Sequence, residues 1–142
     1  MQTQARDAYL QTEVMTATPQ KLQLMLIDAA IRFSRQALVH GQNDQHEEAG
    51  EAIIRAQEVV AEILGGLRVD RDPPLVRRVA GIYTFVSRQL TAAHTAKDVS
   101  AIEGVIRVLE IERATWQQVC EQLGSRIDAA HHQSPSGAVF TA

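Results

Sequence analysis

The sequence predicts an all-α fold: an antiparallel up-down four-helix bundle, with an N-terminal arm over residues 1–17, the bundle over 18–124 and a disordered tail over 125–142. Three observations predict it. Apolar residues recur at helical spacing in four stretches of similar length. Each stretch opens on a capping residue and is separated from the next by only a few residues, as antiparallel bundle neighbours require. Ala, Leu, Ile, Val, Glu and Gln dominate a chain that is 45% hydrophobic but only 4% aromatic, a composition that favours helix and an aliphatic core. No strand pattern competes with them.

The first helix is expected from about Pro19 to about Gly41. Thr18 is a good N-cap, because its hydroxyl can accept from an orphan amide of the first turn. Pro19 follows at the first helical position, where a missing N–H costs nothing. Leu22, Met25, Leu26, Ala29, Phe33, Ala37 and Leu38 make one apolar stripe, and Leu24, Ile27 and Ile31 widen it to a second face. A helix apolar over so wide an arc sits centrally in a bundle or keeps one face for a partner.

The second helix is expected from Asp44, which has capping-box spacing to Glu47. Its inner stripe is Ala49, Ala52, Ile53, Ala56, Val60, Ile63, Leu64 and Leu67, with Gly65-Gly66 as a left-handed stop. Asp72-Pro73-Pro74 then caps and opens a third helix running to about Thr95. Leu75, Val79, Ile82, Val86 and Leu90 form its line, with Val76, Tyr83 and Phe85 beside it. The fourth helix is expected from Asp98 or Ser100, the latter with capping-box spacing to Glu103. It carries Ile102, Val105, Ile106, Leu109, Trp116, Val119 and Leu123 and ends near Gly124, with Arg126 to Ala130 able to add another turn. His131 to Ala142 lack periodicity and are rich in helix breakers, which predicts disorder.

Several function classes are disfavoured. A net charge of −3 with dispersed Lys and Arg is no phosphate-binding footprint, so no nucleic-acid partner is expected. No stretch has the apolar length to span a bilayer, and the first fifteen residues lack the basic and apolar regions of a signal peptide, so no membrane insertion is expected. The single cysteine, Cys120, cannot form an internal disulfide, which suits a reducing cytosol. Catalytic and metal motifs are lacking. The Glu-x-x-His pairs that build di-metal sites in bundles do not occur, and His131-His132 without a third ligand makes a poor site. No enzyme activity, cofactor or metal is expected.

The segment Tyr9–Asp28 resembles the opening of the FliS family, the flagellin-specific export chaperones. The matching residues are Tyr9, Val14, Thr16, Ala17, Thr18, Pro19, Leu22, Met25, Leu26 and Asp28. Tyr83 to Leu90, the turn with Asp98 and the late Trp116 are similar to further family patterns, so the resemblance covers roughly Ala8 to Cys120. The chain departs from the pattern at Ile27 (usually aromatic), Ala29 (usually glycine), Gln89 (usually arginine) and Glu112 (usually apolar).

The resemblance implies a cytosolic helical bundle that binds the disordered C-terminal segment of flagellin. It further implies that the chaperone prevents premature polymerisation and delivers flagellin to a component of the flagellar type III export gate. The expected client-binding residues are Tyr9 and Val14, as a removable lid, with Leu22, Met25, Leu26 and Ala29 in the first helix and Ile82, Tyr83 and Val86 in the third. The alternative reading is a structural bundle that self-associates through the same apolar stripe.

Overall fold

The computed structural model describes residues 4–9, 11, 17–67 and 72–141. Those residues contain no strand. A short helical segment over 4–9 precedes four long helices: α1 (Pro19–Gln42), α2 (His46–Gly65), α3 (Pro73–Ala96) and α4 (Val99–Thr141).

The helices form a ring in which α1 packs on α2 and α4, and α3 packs on the same two neighbours. The pairing is antiparallel throughout. Asp28 meets Arg113 and Arg35 meets Glu110 between α1 and α4. Between α2 and α3, Gly50 lies against His94, and Gln57 donates to Thr91 at 2.8 Å. This is the expected up-down topology, and the short links dictate it.

One continuous aliphatic core fills the ring. Ile27, Ala30, Ile31 and Ala37 of α1 meet Ile53, Ala56, Val60 and Ile63 of α2. Tyr83, Val86, Leu90 and Ala93 of α3 and Ile102, Val105 and Leu109 of α4 close it. Alanines at Ala30, Ala37 and Ala56, all fully buried, allow close approach of α1 and α2. These two helices are packed more closely than α3 is on either neighbour.

The caps follow the sequence in part. Thr18 Oγ1 accepts from Lys21 N–H at 3.1 Å, and Asp72 Oδ1 from Leu75 N–H at 3.4 Å, as expected. The Asp44–Glu47 capping box does not form. Instead α1 continues to Gln42, Asp44 takes a left-handed conformation at φ 56°, and α2 begins at His46. Gln45 N–H donates to His40 O at 2.8 Å, and the two side chains also join, which fixes this turn.

The start of α4 is capped by Asp98 rather than Ser100. Its Oδ1 accepts from Ser100 N–H at 3.0 Å and from Ser100 Oγ–H at 2.6 Å. The Ser100 hydroxyl bond, chiefly, holds the Asp98 carboxyl below its ordinary range. The preceding reversal places Lys97 at φ 53°. Gly66 closes α2 in a right-handed conformation (φ −87°), so the left-handed glycine stop expected there is not used. Last-turn bonds from Gly66 and Leu67 back to Glu62, Ile63 and Leu64 satisfy the end.

Gly124 is not the end of α4 either. One glycine inside a helix costs only about 1 kcal/mol relative to alanine, and the backbone stays helical to Thr141. Residues Gly124 to Arg126, Ala129 and Ala130 are exposed.

Candidate functional site

α1 buries one face and leaves a second apolar face only half covered. Leu24, Ile27, Ala30, Ile31, Ser34 and Ala37 are buried. Leu22, Met25, Leu26, Ala29 and Phe33 step along the opposite side and are all half-buried. The broad apolar arc read from the sequence is therefore two faces with different work. The guanidinium carbons of Arg32 and Arg55 lie 5.1 and 5.9 Å from the centre of the Phe33 ring, so its exposed surface is roofed by cations.

Two grooves flank this helix. A groove of about 500 Å³ runs between the start of α1 and the end of α2, lined by Leu22, Leu26, Ala61, Glu62, Gly65 and Gly66 among others. A wider one, about 850 Å³, runs between α1 and α4, with Ile31, Val39 and Ala114 among its apolar lining. The Arg35–Glu110 and Asp28–Arg113 ion pairs belong to its lining, and Arg113 also donates to Gln117 at 2.9 Å. The sequence reading did not find this second groove. Its ion pairs join residues that no local spacing links, since the partners of Arg35 and Asp28 are 75 and 85 residues away.

The expected site residues fall into separate places. Leu22 and Leu26 line the α1–α2 groove, with Met25 and Ala29 nearby on the exposed side of α1. Ile82 is half-buried on α3, across the ring from α1. Tyr83 and Val86, expected at a client surface, have no exposed surface and belong to the core of this closed bundle. Their placement follows from helical geometry: in α3 the buried line is 83, 86, 90 and 93, turned slightly from the line expected. Tyr9 lies in the helical segment over 4–9 and is 68% exposed. Val14 lies outside the described residues.

Two polar features interrupt the core: Ser34 of α1, whose buried Oγ has no hydrogen-bond partner, and the pair Tyr83 and Glu112. Tyr83 is fully buried, and Glu112 is buried beside it at 8% exposure. Neither Tyr83 Oη nor Gln23 Nε2 has a hydrogen-bond partner, although Glu112 and Gln23 are the polar groups that act on the Tyr83 hydroxyl. Burial first, and the Glu112 charge second, push the Tyr83 phenol far above its ordinary range. The sequence carried a sign of this, since Glu112 stands where the family usually has an apolar residue. Among the described residues no cluster of His, Cys, Asp or Glu could hold a metal ion. Among them, too, no helix is long and apolar enough to cross a membrane.

The family profile described as flagellar protein FliS matches residues 1–123, which takes in α1, α2, α3 and the first part of α4. The chain belongs to the FliS family. It is 30% identical over 114 residues to the flagellar secretion chaperone FliS of Bacillus subtilis, covering 80% of this chain and 84% of that protein. FliS of Campylobacter jejuni is 26% identical over 81% of this chain and 90% of its own length. FliS of Escherichia coli is 26% identical over 77% and 81%. Among solved structures, a bacterial flagellar chaperone superposes with a TM-score of 0.70 at 20% identity, over 86% of this chain and 99% of that one, which shows the shared fold. The FliS relatives are named as chaperones, a binding role and not a catalytic one.

Proposed function

We propose that this FliS protein binds the disordered C-terminal segment of flagellin in the cytosol, keeps it from polymerising, and hands it to a component of the flagellar export gate. It does so by binding alone, with no catalytic step. The observation that carries this reading is the second apolar face of α1, where Leu22, Met25, Leu26 and Ala29 are half-buried beside a groove open to solvent. A disordered client with apolar repeats cannot bury them alone, and an apolar groove on a helix bundle receives them as a helix. Ordering such a client costs about 2–5 kcal/mol or more, which keeps the complex reversible.

The arrangement favours a client that wraps. The α1 patch and Ile82 of α3 lie on helices that are not neighbours in the ring. One straight helix cannot cover both; a flexible segment folding in pieces can. In this reading residues 1–17 are a removable arm, with Tyr9 and Val14 as its anchors, and residues 125–142 stand apart from the binding bundle.

Calorimetry with a flagellin C-terminal peptide tests it. Expected are saturable binding with a strongly negative heat-capacity change and at least tenfold weaker binding for Leu22→Ser/Leu26→Ser. A protein that ignores the peptide but gains mass with concentration would be the self-associating bundle instead.

A further inference from the structure

The flank shared by α3 and α4 is used by neither the core nor the α1 surface, and its chemistry is one-sided. α3 contains no Asp or Glu at all; its formal charges are Arg77, Arg78 and Arg88. On α4, positions 104, 108, 111 and 115 share the flank turned away from α1, and they too carry no acid. The acids Glu103, Glu110 and Glu121 follow the other flank, where Glu110 is held by Arg35. Arg78, Arg88 and Arg107 are exposed, and none of them takes part in an ion pair among the described residues.

Large apolar side chains sit among these cations. Phe85 is 48% exposed and Ile111 is 67% exposed. α3 ends at Ala96 and α4 begins at Val99, so residues equidistant from this tight antiparallel turn, Phe85 and the Val108–Ile111 stretch, lie at about one level. To either side of that level the walls are low. A Cβ added at Gly81 would meet nothing within 4 Å, and one at Gly104 would meet only the Arg107 guanidinium at 3.8 Å. A seam between two antiparallel helices with glycine in both walls admits a third helix at ordinary packing distance.

We propose that this seam is a second docking site, for an acidic amphipathic helix of a partner protein, seated on Phe85 and Ile111 with its carboxylates on Arg78, Arg88 and Arg107. Charge complementarity selects this occupant. Unpaired arginines around an apolar strip reward carboxylates, and Arg forms bidentate pairs with them. A basic or neutral helix would leave the guanidinium groups unmatched. The exposed acids of α2 (Glu47, Glu48, Glu51, Glu58 and Glu62) give the molecule an opposite pole that repels the same partner, so the seam is singled out. Two large apolar anchors within a seam suit a helix better than a bilayer. The inference shares no residue with the flagellin reading, whose contact on α3, Ile82, lies one helical turn from Phe85.

The test uses the full chain and two fluorescent model helices with identical leucine faces, one with a glutamate polar face and one with lysine. Anisotropy should show saturable binding of the glutamate helix and none of the lysine helix. Affinity should fall at least tenfold for Phe85→Ser/Ile111→Ser, and likewise for Arg88→Glu/Arg107→Glu. The arginine variants decide the matter if the apolar pair unfolds the protein. Binding should weaken steeply between 50 and 300 mM salt and survive saturation with the flagellin C-terminal peptide. Equal binding of the lysine helix, displacement by the flagellin peptide, or insensitivity to the arginine reversals would overturn the proposal. So would binding of anionic phospholipid vesicles, or self-association of the chain, with no binding of the glutamate helix.

Discussion

Tyr83→Phe isolates the buried phenol, and its effect has a sign that pH reveals. Tyr83 has no exposed surface, its hydroxyl lacks a hydrogen-bond partner, and a buried carboxylate acts on it. The folded-state pKa is therefore raised above the unfolded value near 10.0. A group raised in this way contributes its full stability below the unfolded pKa and loses it as pH climbs toward the folded one. Above pH 10 the unfolded chain releases the proton and the folded chain cannot. Wild type should then lose about 1.4 kcal/mol per pH unit more than Tyr83→Phe. At pH 8 the two proteins should differ by less than about 1 kcal/mol, because deleting an unpaired buried hydroxyl is close to neutral. At pH 11 the variant should have gained about 1.4 kcal/mol on wild type. Urea unfolding at both pH values, followed by helical circular dichroism, measures this. Tyr9 is common to both proteins and cancels. Parallel stability curves from pH 8 to 11 would refute the argument and place the hydroxyl in contact with water.

Four further outcomes follow from burial and capping. Ile27→Ala, at a position with no exposed surface, should cost about 2–5 kcal/mol by urea unfolding. Phe33→Ala should cost less, about 1–2 kcal/mol, because the ring is half-buried and stacked by Arg32 and Arg55 in place of core neighbours on all sides. Thr18→Ala should cost about 1 kcal/mol, the worth of the cap bond to Lys21 N–H. Tyr9→Ala should leave the melting temperature unchanged while altering flagellin-peptide affinity, and a fall typical of core truncation would contradict the arm assignment.

The helices were legible because their signals are local. Thr18-Pro19 and Asp72-Pro73 place two helix starts to the residue, and 3.6-residue periodicity finds the core stripes without knowledge of neighbours. The misread ends have a local cause as well. Asp44 can cap a helix or take a left-handed turn, and the choice was decided by His40, which captures both the backbone and the side chain of Gln45. The site was less legible because exposure is a tertiary property. Tyr83 and Phe85 look equivalent in the sequence, two aromatics at the edge of one stripe. Packing against α2 and α4 buries the first completely and leaves half of the second in solvent. The α1–α4 ion pairs were invisible for the same reason, since no local spacing links Asp28 to Arg113.

Glu112 is the residue whose presence the fold explains least, and that makes its replacement informative. It lies on the inner line of α4 with Val105, Leu109 and Trp116, where leucine would continue the core. A buried carboxylate gives up several kcal/mol of hydration and recovers it only through good partners. Here Tyr83 Oη, the group on which the Glu112 charge acts, has no hydrogen-bond partner, so it does not pair with the carboxylate. Glu112→Leu should therefore raise stability by about 1–3 kcal/mol at pH 7, the range found when poorly paired buried charges are replaced by apolar groups. The alkaline loss attributed to Tyr83 should persist in this variant, since burial is its first cause, but begin to level off at lower pH as the carboxylate's repulsion is gone. A destabilised Glu112→Leu protein would mean that the carboxylate is satisfied in solution, by water or by closure onto Tyr83 and Gln23. The start of α1 would then be tied to α3 and α4 by a polar clasp beneath the surface that Leu22 and Leu26 offer to a client.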